Sequence, residues 1–345
     1  MGRKKILFIA TGGTFSSAAS PDGVKPALSI DDMISRFHKR EKDIDITGIQ
    51  ITNLDSTNIE PSHWQAFAQT IQDHVSQVDG IMLGHGTDTM AYTASALSFA
   101  LTGIDKPVII TGSARSADHP GTDAGRNFDD ACVMAAQRNL SGVYVCFGGR
   151  VIHGAHARKE ELGSDNIRDP VDIFVSVNAP EVGKISGGIW TQNPDYIPHN
   201  VSPFNSHTSF DPRIGYVFLM PGLSSSILRH HEHAKAVIID SFGDGGIPFT
   251  YGDWEKDIGY LLDRDIPVVV ISQTGGQATM SVYEPGLRMK QRGVTPGMNI
   301  MREAAITKLM WIAGNYPELS GKSMMDMFTK NICGEYYMAS PSSPG

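Results

Sequence analysis

Short apolar runs that end in glycine and hydroxyl-bearing residues punctuate the first half of the chain. Ile6-Leu7-Phe8-Ile9-Ala10 leads into Thr11-Gly12-Gly13-Thr14, and Gly80-Ile81-Met82-Leu83 into Gly84-His85-Gly86-Thr87-Asp88-Thr89. A third run, Pro107-Val108-Ile109-Ile110, ends in Thr111-Gly112-Ser113. Apolar runs of this length, bounded by turn residues, fit strands buried on both faces. The pattern predicts strands over 5–10, 45–53, 79–84, 107–112 and 142–147. Between them 61–77, 87–102 and 126–139 read as helices, the first opened by Glu60-Pro61-Ser62 with proline near its start. Alternation of this kind predicts parallel βαβ units. Ligands bind such sheets at the carboxyl ends of the strands, so the three hydroxyl-rich turns are expected to face one crevice.

The texture changes between 176 and 212, where Pro180, Pro194, Pro198, Pro203 and Pro212 interrupt a polar stretch and no long period survives. This reads as an extended linker. A second α/β pattern follows, with strands expected at 214–219, 235–240 and 267–272 and helices at 223–231, 253–264, 299–313 and 321–331. It predicts a smaller parallel sheet of three or four strands. The Ser- and Pro-rich tail 339–345 reads as unstructured.

Composition narrows the function classes. A chain of 345 residues exceeds the usual single-domain size, so two domains are expected. The net charge of −8, with no basic run longer than Arg3-Lys4-Lys5, argues against nucleic-acid binding through a basic face. Cys132, Cys146 and Cys333 are odd in number and widely spaced, which fits reduced structural thiols. The apolar run after Lys5 stops at Thr11, too short for a signal peptide, and nothing approaches a membrane span. A cytoplasmic location is expected. His230-His231-Glu232-His233 is too tightly spaced for a helical metal site and reads as a solvated helix end. The fifteen methionines read as core filler. No metal and no cofactor are expected.

The turns themselves admit several chemistries. Thr11-Gly12-Gly13-Thr14 lacks the phosphate-loop lysine and the dinucleotide glycine spacing. A tight βα turn and a threonine nucleophile beside backbone donors both fit it. Gly84-His85-Gly86-Thr87-Asp88-Thr89 sets a hydroxyl beside a carboxylate, and Asp88 and Thr89 also fit helix caps. His85 reads as packed or hydrogen-bonded rather than catalytic.

Ala10-Thr11-Gly12-Gly13-Thr14 together with Leu83-Gly84-His85-Gly86-Thr87-Asp88-Thr89-Met90 resembles the bacterial-type L-asparaginase/glutaminase family. The stretches 86–99 and Lys106-Pro107-Val108-Ile109-Ile110-Thr111-Gly112-Ser113 are most similar to its cytoplasmic type I branch. The likeness continues through Asp123-Ala124-Gly125-Arg126-Asn127 to Ala304-Ala305-Ile306-Thr307-Lys308-Leu309, covering nearly the whole chain. It implies an α/β fold: a larger N-terminal flavodoxin-like parallel-sheet domain over 1–190, a linker over 191–212, and a smaller C-terminal Rossmann-like α/β domain over 213–345. It also implies hydrolysis of L-asparagine to L-aspartate and ammonia through a threonine acyl-enzyme, without cofactor, in a homodimer or homotetramer.

The resemblance places Thr14 as nucleophile, with Thr87, Asp88 and a lysine as a second hydroxyl cluster. Lys159 is the match by order and spacing, and adjacent hydroxyls in an apolar neighbourhood would make it a base. Leu54-Asp55-Ser56-Thr57-Asn58 resembles the loop whose serine holds the substrate carboxylate, so Ser56 is the match, flanked by Asp55 and Thr57. Asp88 would meet the substrate ammonium, and the backbone carbonyl of Ser113 the leaving amide. The chain departs from the family pattern in two places. Phe15 to Pro26 contains no tyrosine to assist Thr14, leaving Ser16, Ser17, Lys25 or a water for that role. Gly246 replaces an asparagine in Ser241-Phe242-Gly243-Asp244-Gly245-Gly246, a segment that in the family approaches the neighbouring subunit's site. No cysteine stands there either, which argues against asparagine-driven allostery. The rival readings are a related glutaminase or amidotransferase-type amidase, and a non-catalytic amino-acid-binding protein.

Overall fold

A computed structural model describes residues 2–13, 15, 17–20, 23–26, 28–38, 43–160, 173–199, 203–204, 206–249 and 252–337. Thr14, Ser16 and the tail 339–345 lie outside the described residues, as do the side chains of Ser17, Val24 and Lys25. The chain divides into two compact units, Met1–Thr208 and Ser209–Gly345.

In the first unit β1 (Lys4–Gly12) is followed by a hairpin of β2 (Ser17–Ser20) and β3 (Gly23–Pro26). Then come α1 (Ile30–Phe37), β4 (Ile44–Leu54), α2 (Pro61–His74), β5 (Gly80–Gly84), α3 (Met90–Ala100) and β6 (Pro107–Thr111). α4 (Ala124–Ala135), β7 (Gly142–Phe147) and β8 (Arg150–His153) complete the central part. β9 (Ala157–Lys159) pairs with β10 (Phe174–Ser176), and β11 (Gly183–Ser186) with β12 (Ile189–Gln192).

The eight-stranded sheet has the order β12-β11-β8-β7-β6-β5-β1-β4. Its parallel part, β7-β6-β5-β1-β4, has the flavodoxin-like order, in which the chain direction switches between the first strand and its inner neighbour. Here that switch point lies between β1 and β5, whose register pairs Ala10 with Gly84. The apolar runs are buried as expected: every residue of β5 and β6 is buried. Helix α2 starts with Pro61 at a position where a missing N–H costs nothing, and it buries Trp64, Phe67, Ala68 and Ile71 at helical spacing. Below the β1 turn Phe8, Phe15, Phe37 and Phe128 form an aromatic cluster, with Phe15 stacked on Phe128 at 6.0 Å.

The second unit is a four-stranded parallel sheet, β13 (Ile214–Phe218), β14 (Ala236–Ser241), β15 (Val268–Ser272) and β16 (Thr295–Pro296), in sequential order. α5 (Trp254–Leu262), α6 (Glu284–Gln291), α7 (Arg302–Asn315) and α8 (Gly321–Phe328) accompany it. Val237, Ile239, Val268 and Val270 pack against Trp254, Ile258 and Leu261.

Two expectations change. The stretch from 176 was expected to be extended linker, yet β11 and β12 form a hairpin that adds to the sheet through β8. Ser186-Gly187-Gly188-Ile189 makes its turn with both glycines at positive φ, 60° and 83°, as a two-residue hairpin turn requires. The segment expected as a helix over 223–231 is a 3-10 helix, Ser225–His231. Its serines explain the difference: Ser224 Oγ accepts from Ser226 N, and Ser225 Oγ bonds Asp257, so the side chains compete with regular helix. No helix among the described residues is long and apolar enough to cross a membrane.

Candidate functional site

The carboxyl ends of β1 and β5 come together through glycine. Gly13 lies against the Gly86 backbone so closely that a Cβ on Gly13 would collide with Gly86 Cα, and its φ is +77°. A Cβ on Gly86 would fall 2.7 Å from Ser56 Oγ. Three loops are thereby docked: the β1 turn, the Ser56 turn after β4 and the turn after β5. Polar bonds reinforce the junction. Thr11 Oγ1 donates to Gly84 O at 2.9 Å, Gly13 N to Leu54 O at 2.8 Å, and Thr89 Oγ1 to Ser56 O at 2.7 Å. Thr14 is flanked by two fixed residues, Gly13 on Gly86 and Phe15 in the aromatic cluster.

At the head of α3 the structure brings together Thr87, Asp88 and Lys159. Lys159 Nζ donates to Asp88 Oδ1 at 2.7 Å and to Thr87 Oγ1 at 3.0 Å. Thr89 makes no side-chain cap bond to α3, so its hydroxyl serves the Ser56 loop instead of capping. Lys159 ends β9, which β10 holds in register, Phe174 opposite Lys159. Phe174 is buried against Phe147 at 5.2 Å, and His156 and Val177 exchange bonds just beyond the ribbon. Ser95 of α3 donates to Gly154 O, tying the Lys159 segment to the helix that begins beside Asp88. An ammonium bonded to both a hydroxyl and a carboxylate can pass a proton along that line. The Asp88 side chain is 54% exposed and Lys159 23%, so the carboxylate is open to a ligand and the ion pair adds little stability.

Ser56 is buried, whereas Asp55 and Thr57 are exposed and occupied with each other: Asp55 Oδ1 accepts from Thr57 N and Thr57 Oγ1, both at 3.0 Å. Ser113 is fully buried, and its hydroxyl has no hydrogen-bond partner among the described residues. The loop that carries it is pinned by two residues to which the sequence assigns no role. Asp123 accepts from Ala114 N and Arg115 N, and Asn127 Nδ2 donates to Gly112 O at 2.9 Å while its Oδ1 accepts from Gly148 N. Asp123 and Asn127 are also bonded to each other, one helical turn apart at the start of α4, a spacing visible in the sequence.

His85 is fully buried between the turn and the core. Its Nδ1 lies 2.7 Å from Gly86 O and its Nε2 2.9 Å from Thr93 Oγ1, and Trp64 Nε1 donates to the same Thr93 Oγ1 at 3.0 Å. Burial pushes its pKa down to about 4, although the bond to Gly86 O opposes this. The unfolded chain therefore takes up a proton near pH 6.5 that the folded chain refuses until about pH 4. Stability present above pH 6.5 is expected to fall by about 3 kcal/mol as pH drops to 4. Denaturant unfolding at several pH values checks this: His85→Asn should flatten the curve in that window, and an unchanged slope would refute the assignment.

Among the described residues no group of His, Cys, Asp or Glu side chains is placed to hold a metal ion, and all three cysteines are free and buried.

Comparisons with known proteins follow the same outline. Residues 5–196 match the family described as Asparaginase, N-terminal, and 213–328 the Glutaminase/Asparaginase C-terminal domain. The chain is 33% identical over 336 residues to L-asparaginase of Thermococcus kodakarensis, covering 96% of this chain and 98% of that protein. It is 32% identical over 349 residues to a subunit of the glutamyl-tRNA(Gln) amidotransferase of Methanococcus maripaludis, covering 96% of this chain and 80% of the relative. The solved structure of the thermostable Thermococcus L-asparaginase superposes with a TM-score of 0.87 at 32% identity, covering 96% of this chain and 98% of that one. L-asparaginase I of Vibrio cholerae superposes with 0.84 at 26% identity, covering 98% of this chain and all of that one.

Proposed function

This chain belongs to the asparaginase family, and on that premise we propose that it hydrolyses the side-chain amide of L-asparagine to L-aspartate and ammonia. The observation that carries the reading is the Lys159–Thr87–Asp88 cluster at the switch point, against which the β1 turn is docked. In this reading Thr14 Oγ adds to the amide carbon and the C–N bond breaks. Ammonia leaves with the proton, and an acyl-enzyme ester remains. Water, positioned by Thr87 and relieved of a proton through Lys159, cleaves the ester and restores the Thr14 hydroxyl. The Ser56 hydroxyl takes the substrate carboxylate, the Asp88 carboxylate its ammonium, and the Ser113 carbonyl the leaving amide. Asp55 and Thr57 hold the Ser56 turn. The same reading includes a homodimer or homotetramer in the cytoplasm, and no cofactor.

Ammonia release from asparagine and glutamine, measured side by side, tests it. A single extra methylene discriminates by roughly 10–200-fold in kcat/KM, and asparagine is expected to be preferred within that range. No release from either amide, with aspartate still bound, would overturn the reading in favour of a binding protein. Turnover that appears only with an added tRNA or partner protein would favour the amidotransferase reading, which the 32% identity to the Methanococcus relative supports.

A further inference from the structure

We propose that His85 is a positioning residue for the site. Its Nδ1–H holds the Gly86 carbonyl turned into the core, and so fixes the direction in which the Thr87 N–H points. The inference rests on the amidohydrolase reading and adds to it a buried relay of three side chains.

The direction of that relay follows from which groups can donate. Trp64 Nε1 can only donate and a carbonyl can only accept. Trp64 therefore donates to Thr93 Oγ1, Thr93 donates to His85 Nε2, and His85 Nδ1–H donates to Gly86 O. A neutral ring is required throughout, and the deep burial that depresses its pKa keeps it neutral. The three residues come from different places: Trp64 from α2, Thr93 from α3 and His85 from the turn after β5. All three are buried, Phe67 packs edge-on to the His85 ring at 6.3 Å, and His85 N is itself bonded to Thr111 O of β6. The ring is thus held by the fold rather than by the turn it serves.

The consequence lies in the next peptide. The Gly86–Thr87 peptide is planar, with no cis bond, so its N–H points opposite to its carbonyl. With Gly86 O drawn toward His85, the Thr87 N–H points away from the buried ring. No hydrogen bond among the described residues engages it. It stands next to the hydroxyl that Lys159 bonds, and a fixed backbone donor at such a place stabilises negative charge developing on a substrate oxygen. A flipped peptide would present a carbonyl there and repel that charge.

The test separates the two ring nitrogens. An asparagine amide nitrogen reaches about as far as Nδ1, and a glutamine amide about as far as Nε2. His85→Asn keeps the donor to Gly86 O; His85→Gln keeps the link to Thr93 and loses that donor. The expected result is a kcat reduced by roughly 10- to 100-fold in His85→Gln, with KM little changed, and a largely retained kcat in His85→Asn. Equal kcat in His85→Gln and the wild type, or equal losses in both variants, would overturn the proposal. Nitrogen-15 NMR of histidine in the intact wild-type protein gives a readout independent of turnover. The Nδ1–H tautomer is expected at neutral pH, and an Nε2–H tautomer would overturn the relay even if both variants failed to fold. A wild type that releases no ammonia would instead remove the amidohydrolase reading while leaving the tautomer result to stand.

Discussion

Lys159→Met is expected to lower kcat for asparagine by roughly 10²–10⁴-fold while leaving the folded protein nearly as stable as before. Methionine keeps the length and the apolar stem and removes the only group that joins Thr87 Oγ1 to Asp88 Oδ1 among the described residues. Without it the Thr87 hydroxyl has no route for its proton, and Asp88 loses the neighbour that orients it. Stability should hardly move. The carboxylate is half exposed, and ion pairs of that kind contribute at most about 1 kcal/mol. Lys159→Arg would keep the charge but not a group able to give up its proton, so it is expected to fail almost as badly. Rates from an ammonia assay, set beside a melting curve, decide the matter: unchanged turnover would remove Lys159 from the mechanism, and a large fall in Tm would make its role structural.

The second large effect is one of stability, in the other unit. Lys308→Met is expected to cost about 3–5 kcal/mol. Lys308 and Glu335 have fully buried side chains and form an ion pair. Lys308 also donates to Lys330 O at 2.5 Å and lies 4.6 Å from the Tyr336 ring. Burial pushes the Glu335 carboxyl up, but the Lys308 ammonium and backbone N–H groups outweigh it and hold the carboxyl below the usual range. Ile332 N and Cys333 N donate to the same carboxylate, so Glu335 folds the segment after α8 back onto α7. Removing only the lysine leaves that charge buried with backbone donors alone. Adding Glu335→Gln should recover more than half of the loss, because the amide oxygen still accepts from the backbone while the charge is gone. Denaturant unfolding of the single and double variants measures both; a single variant within about 1 kcal/mol of wild type would contradict the account.

These effects show which parts of the molecule the chain discloses in linear form. Strands such as β5 and β6 are legible because a strand buried on both faces is apolar throughout, and their five-residue length between turn residues is too short for a buried helix such as α3. The hairpin of β11 and β12 is not, because four-residue antiparallel strands alternate Gly183, Lys184, Ile185, Ser186 and mimic polar coil. The local signal of this hairpin is its Gly187-Gly188 turn. At the site, Thr87 and Asp88 are adjacent in sequence and readable as a pair. Lys159 lies 71 residues beyond Asp88, so in the sequence only the family resemblance joins them, whereas in the fold Lys159 Nζ is 2.7 Å from Asp88 Oδ1. Asp123 and Asn127 stand in a family-like stretch without a role of their own, since the carbonyl and amides they hold belong to other loops. The Trp64–Thr93–His85 relay joins three elements, and no local pattern carries it.

In the proposed reaction the β1 turn supplies the nucleophile and the Lys159–Thr87–Asp88 cluster handles the proton. Ammonia release by Thr14→Ala, paired with calorimetric binding of aspartate, tests it most directly. Turnover is expected to fall by roughly 10³-fold or more with aspartate still bound, because Ser56 and Asp88 remain in place. Wild-type turnover by Thr14→Ala would contradict it.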